Sequence, residues 1–139
     1  MIASILTYLE RHTFILYAAL ALLTVVTLAL TLLPQEKLLD ARIFHYDKLG
    51  HMLMFGSWTF LLGMIQLVSN RKPLPLFAIF MAGSLFGITI EILQEVLPVD
   101  RHMNPYDALA DIIGCLIAVG FLKVITTYST YGKKTDGTV

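Results

Sequence analysis

Residues 14–33 carry no charged side chain, and this limits what the chain can become. An apolar run of about twenty residues matches the hydrocarbon thickness of a bilayer when it is helical. In lipid, each backbone N–H and C=O must be paired within the structure, which leaves a helix as the form for an isolated run. Pro34 marks its end. Three more apolar stretches follow, at about 51–69, 74–97 and 106–126. Arg71, Lys72, Pro73 and Pro75 punctuate the turn between the second and third, and Pro98 stops the third. The fourth has a clear start: Asn104 is placed to cap, Pro105 to sit at the first helical position and Asp107 at the third. The predicted fold class is all-α, a polytopic membrane bundle of four transmembrane helices, with 1–139 as a single membrane domain.

Composition agrees. Only 14% of the 139 residues are charged, against about a quarter in a soluble domain. Ten basic and ten acidic residues cancel, so no basic field argues for nucleic acid. Cys115 is the single cysteine; it has no disulfide partner in the chain and reads as a small packing residue. There is no Gly-rich phosphate loop, nucleophile elbow or H-E-x-x-H motif, so no cofactor is expected. One histidine beside carboxylates is a weak ligand set, so no metal is expected either. The first apolar run is too long for the core of a usual signal peptide, and no A-x-A site follows it, so it is expected to remain. Residues 1–12 alternate polar and apolar at helical spacing. They read as an extension of the first span in preference to a helix along the membrane interface. The polar tail from Tyr128 is expected to be mobile.

Four spans put both termini on one side, with Arg11, Arg71, Lys72, Lys123, Lys133 and Lys134. Lys37, Arg42, Lys48 and Arg101 fall on the other. The positive-inside rule then places the termini in the cytoplasm and the 34–50 and 98–105 loops outside.

On that outer face the ionisable residues gather. Asp47, Lys48 and His51 open the second span, Glu91, Gln94 and Glu95 close the third, and Arg101 to Asp111 lead into the fourth. Charge inside a span is expensive and usually has a structural or functional reason. Glu91 lies about 9 Å of helix rise before Leu97, and Asp111 about 8 Å after Tyr106, so their depths match. Gly83, Gly87 and Glu91 recur at four-residue steps, as do Ala110, Gly114 and Ala118. Such small-residue stripes let membrane helices approach closely, which turns Glu91 inward.

These residues also resemble the VanZ-like family of small bacterial membrane proteins. The resemblance is carried by Asp47-Lys48-x-x-His51 followed by Phe55, by Glu91-x-x-Gln94, by Arg101, and by Asp107-x-x-x-Asp111-x-x-Gly114, over roughly residues 44–122. The family pattern has Asn where this chain has Asp111. The resemblance implies a bacterial cytoplasmic-membrane protein of the cell envelope, with a link to teicoplanin-type glycopeptide resistance, and it supplies no reaction.

The residues themselves leave two functional readings and a structural one. In the first, a polar pocket at the outer face binds a lipid-linked wall precursor or a glycopeptide, besides membrane lipids. Asp47, Lys48, His51, Glu91, Gln94, Arg101, Asp107 and Asp111 form it. In the second, the same pocket is catalytic, with Glu91, His51 or Asp107 in acid–base roles and Arg101 or Lys48 stabilising negative charge. In the third, the charges only join helices: Asp47 caps, Asp107 complements the helix dipole and Glu91 pairs with a cation. A transport pathway is disfavoured, because the polar residues gather at one face.

Overall fold

The computed structural model describes residues 2–32, 47–69, 75–98 and 102–135, with side chains described for 4–32, 47–69, 75–98 and 102–128. Among these residues every regular element is helical: α1 (Ile2–Arg11), α2 (Thr13–Leu32), α3 (Asp47–Ser69), α4 (Leu76–Val96) and α5 (Pro105–Thr135). Four of them are long and apolar enough to cross a membrane, with α5 doing so over Pro105–Tyr128. A third or less of each span is buried inside the protein. Leu22, Phe77, Leu116 and Phe121 point outward and are largely exposed. Thr27, Thr59, Glu91 and Asp111 are buried. Apolar side chains outside and polar ones inside are what a bundle immersed in lipid requires, since hydrocarbon cannot satisfy a polar group.

The tightest helix pair is α3 with α5, and glycine makes it so. A Cβ on Gly56 would lie 3.0 Å from the Gly114 carbonyl oxygen, and one on Gly114 would collide with the Met52 carbonyl. The two backbones therefore touch, as small-residue packing permits. Helix α4 lies against both partners: Gly83 meets Thr59 and Cys115, and Gly87 meets Asp111. The stripe expected along Gly83, Gly87 and Glu91 is thus the inward face of α4. Helix α2 is tied in by polar links. Trp58 Nε1 donates to Thr24 Oγ1 at 2.9 Å, and Gln94 Nε2 donates to the Thr31 carbonyl at 2.8 Å. That carbonyl is one of the last four of α2, which have no partner within their own helix.

The interior is layered. At one end Leu6, Leu16, Met64, Ile65, Ile79 and Leu122 form an apolar cluster. Phe55, Ile90 and Cys115 form the middle layer. The ionisable residues close the other end.

Three element boundaries differ from the sequence expectation. Helix α3 starts at Asp47 rather than 51, which puts Asp47 and His51 one helical turn apart on a common face. Helix α5 runs through Tyr128 to Thr135 instead of giving way to a mobile tail. No proline follows Pro105, and the hydroxyls of Thr126 and Thr127 bond back to the Lys123 carbonyl within the helix, each at 2.9 Å. Residues 2–11 are not a plain extension of the first span. A turn at His12 separates α1 from α2, where the His12 ring donates to the Tyr8 carbonyl and stacks on the Tyr8 ring. Leu6 then reaches the end cluster, which gives the amphipathic pattern of α1 an apolar surface to cover.

Candidate functional site

Three helices deliver the ionisable residues to one place. His51 comes from the second turn of α3, Glu91 from the last turns of α4, and Asp107 and Asp111 from the first turns of α5. The start of α5 is fixed as its sequence indicates: Asn104 Oδ1 accepts the Tyr106 N–H at 3.0 Å, and the Asn104 carbonyl begins the helical ladder. This sets the depth at which Asp107 and Asp111 enter the bundle.

His51 Nδ1 lies 3.0 Å from Asp111 Oδ1, a hydrogen bond, and 3.8 Å from Glu91 Oε1. Glu91 and Asp111 are fully buried, and His51 is 2% exposed. The Phe55 ring stacks on His51 and closes the site from the middle of the bundle. Toward the surface, Lys48 Nζ lies 3.5 Å from Asp107 Oδ1, joining α3 to α5. The Lys48 side chain is 58% exposed and that of Asp107 only 8%. A gradient results, from an accessible cation at the mouth through Asp47 and Asp107 to a buried imidazole–carboxylate group.

The two oxygens of Glu91 have different surroundings. Oε2 accepts the Asn104 backbone N–H at 2.9 Å. Oε1 is buried without a hydrogen-bond partner among the described residues, and so are Asp111 Oδ2 and Asp107 Oδ1. One turn on, Glu95 Oε2 accepts the Met103 N–H at 3.0 Å. The pair Glu91 and Glu95 therefore anchors the two residues that immediately precede α5.

Charge in the cluster does not balance by itself. Even a fully protonated His51 would leave one negative charge if Glu91 and Asp111 were both ionised. Among the described residues no lysine or arginine forms an ion pair with either acid. A buried, uncompensated charge is strongly unfavourable, so a shared proton or a bound cation is called for. Two sets of ligand atoms are spaced for a cation, each within 4.8 Å of one another: His51, Glu91 and Asp111, and Asp47, His51 and Asp107.

Of the residues singled out in the sequence, Asp47, His51, Glu91, Asp107 and Asp111 converge, with Lys48 at the rim. Gln94 is buried, but its amide N–H is committed to the Thr31 carbonyl of α2. Arg101 lies outside the described residues. Sequence reasoning placed Gly87 on the inward stripe but missed its contact with the Asp111 carboxylate, and it missed the backbone N–H groups of Met103 and Asn104. The i, i+4 spacing of Glu91 and Glu95 was the available sign that both acids face one loop.

Comparison with family models, curated proteins and solved structures returns no match. The class defined by fold and site is therefore a membrane-associated all-α bundle with four candidate membrane-spanning helices. Its buried polar core has ligand atoms spaced for a metal ion.

Proposed function

We propose that the protein is a membrane-embedded hydrolase or transferase acting on the head of a lipid-linked or otherwise amphiphilic envelope substrate. One observation carries this reading. A histidine and two acids from three separate helices meet in a buried site, with carboxylate oxygens that have no hydrogen-bond partner among the described residues. Among the described residues no lysine or arginine offsets these two acids, and buried ionisable groups of this kind cluster at functional sites. His51, oriented by Asp111, or Glu91, oriented by the Asn104 N–H, takes the proton of the attacking water or hydroxyl. Lys48 at the mouth meets the anionic part of the head, and Arg101 is assigned the same task from the sequence alone.

The apolar surface supports a lipid substrate. A groove of about 580 Å³ runs between α3 and α5, lined by Met52, Leu53, Gly56, Gly114, Ile117 and Phe121, among others. Its lining is almost wholly apolar, and its position between two spans fits a single hydrocarbon chain.

The VanZ-like resemblance supplies the second reading, an envelope protein of the bacterial cytoplasmic membrane that binds a wall precursor or a glycopeptide and alters teicoplanin susceptibility. Its support is that Asp47, His51, Glu91, Asp107 and Asp111, which carry the resemblance, are the residues that converge. The test is to reconstitute the protein in liposomes of native lipid extract and follow the lipids by mass spectrometry. Catalysis predicts loss of one headgroup species and gain of its hydrolysed or transferred product. Retention of an unchanged lipid or glycopeptide on the protein, with no product, supports the binding reading instead.

A further inference from the structure

We propose that His51, Glu91 and Asp111 hold a divalent transition-metal ion, with the histidine giving a ring nitrogen and each acid a carboxylate oxygen. The proposal deepens the hydrolase or transferase reading, because it names what activates the attacking water.

The geometry is close to that of a bound set. Donors sharing one ion at about 2.0–2.2 Å lie no more than about 4.4 Å apart. His51 Nδ1 is 3.0 Å from Asp111 Oδ1 and 3.8 Å from Glu91 Oε1, and the ligand atoms of all three residues fall within 4.8 Å of one another. A separation of 3.0 Å serves equally as a hydrogen bond or as one edge of a coordination shell. A small inward rotation of the acids completes the rest.

A second observation is independent of the spacing. Glu91 and Asp111 are fully buried, yet Glu91 Oε1 and Asp111 Oδ2 have no hydrogen-bond partner among the described residues. Oxygen atoms in that condition need a proton or a cation. With a neutral imidazole, two ionised carboxylates carry the charge that one divalent ion cancels. The support around the ligands also suits a metal. The Asn104 N–H holds Glu91 Oε2 and so aims Oε1. Gly87 leaves space for the Asp111 carboxylate, since a Cβ there would lie 2.7 Å from Oδ2. Outer contacts of this kind orient ligands and tune affinity.

The donor set selects the ion. One imidazole with two carboxylates suits zinc, manganese or iron better than calcium or magnesium, which prefer all-oxygen shells, or copper(I), which prefers sulfur. Cys115 is not a competing ligand: its sulfur is engaged with Thr59 and stands outside the set. Three protein ligands leave a position for water, whose deprotonation the ion favours. The net change is hydrolysis. The water oxygen bonds to the ester centre of the head, the bond to the leaving oxygen breaks, and the proton released by the water ends on that leaving oxygen.

The test uses tag-free, full-length protein in detergent, stripped with a chelator and dialysed against zinc, with cobalt as a spectroscopic probe. We expect one zinc per chain, visible-region cobalt bands, and a higher melting temperature with zinc. Glu91→Gln and Asp111→Asn should each weaken affinity by at least about 100-fold, while Glu95→Gln and Cys115→Ala leave it unchanged. Wild-type protein that melts cooperatively but takes up no zinc overturns the proposal. So does zinc uptake lost in Asp47→Asn and kept in Glu91→Gln, which would move the ion to the mouth. Zinc binding without lipid turnover supports the metal site and removes the catalytic reading. Turnover by ion-free protein in chelator does the opposite.

Discussion

Glu91 divides its carboxylate between a structural partner, the Asn104 N–H, and an unpartnered oxygen facing His51. Asp111 is divided in the same way, with Oδ1 on His51 and Oδ2 against Gly87. The site can therefore be disturbed without touching an ionisable residue. Gly87→Ala adds a Cβ 2.7 Å from Asp111 Oδ2 and must displace that carboxylate. Lipid turnover is expected to fall about 10- to 100-fold, because small misplacements of catalytic groups are costly. Far-ultraviolet circular dichroism should show helix content unchanged in the same preparation. Gln94 gives the opposite pattern. Its amide is spent on the Thr31 carbonyl, so Gln94→Ala is expected to lower stability by about 1–3 kcal/mol through the orphaned carbonyl while turnover persists. A thermal melt in detergent beside the lipid assay separates the two effects. Turnover abolished at unchanged stability would instead return Gln94 to the ligand-binding set that the sequence proposed.

Helix pairing rests on where a Cβ has room. Gly114→Ala would drive a methyl group into the Met52 carbonyl and part α3 from α5, and a destabilisation of about 1–3 kcal/mol is expected. Gly120 has open space around its Cβ position, so Gly120→Ala should be neutral or stabilising by about 0.5–1 kcal/mol. Melting both variants under one detergent condition checks the pair; equal effects would contradict the packing described. These contacts also show how far the sequence was legible. The stripes Gly83-Gly87-Glu91 and Ala110-Gly114-Ala118 were readable because small-residue spacing is local. It indicated the inward face of α4, which the contacts of Gly83 and Gly87 bear out. The meeting of Gly56 with Gly114 was not readable, because spacing within one helix does not name the partner on another. The split between the two Glu91 oxygens was likewise hidden, since it depends on the backbone of Asn104. The start of α3 was legible only in part: hydropathy sets the boundary near 51 with Asp47 as a cap, whereas Asp47 lies within the first turn, where an acid is stabilised by the helix dipole.

For the whole molecule, layering and function point to one end of the bundle. The six-to-four distribution of basic residues predicts that this end faces outward. Exposed Met103 lies beside the cluster, and Glu10 lies on α1 near the opposite end. In a Cys115→Ala background, Met103→Cys should react with an impermeant thiol reagent in intact cells, and Glu10→Cys only after lysis. The reverse result would turn the site toward the cytoplasm. The central claim is that the buried histidine–carboxylate cluster exists for chemistry and not for holding helices together. Glu91→Gln tests it most directly, because the amide keeps the volume and an oxygen for the Asn104 N–H while removing the charge. Melting temperature and lipid turnover should be measured on one liposome preparation of wild type and variant. The account predicts that, melted in chelator, the variant matches or slightly exceeds the wild type, while its turnover with the ion supplied is reduced at least 100-fold, about the lower bound for losing a general base or the ligand of an activating ion. A variant destabilised by about 3–5 kcal/mol, as expected when a structural buried pair loses one member, with residual turnover in proportion to folded protein, would contradict it.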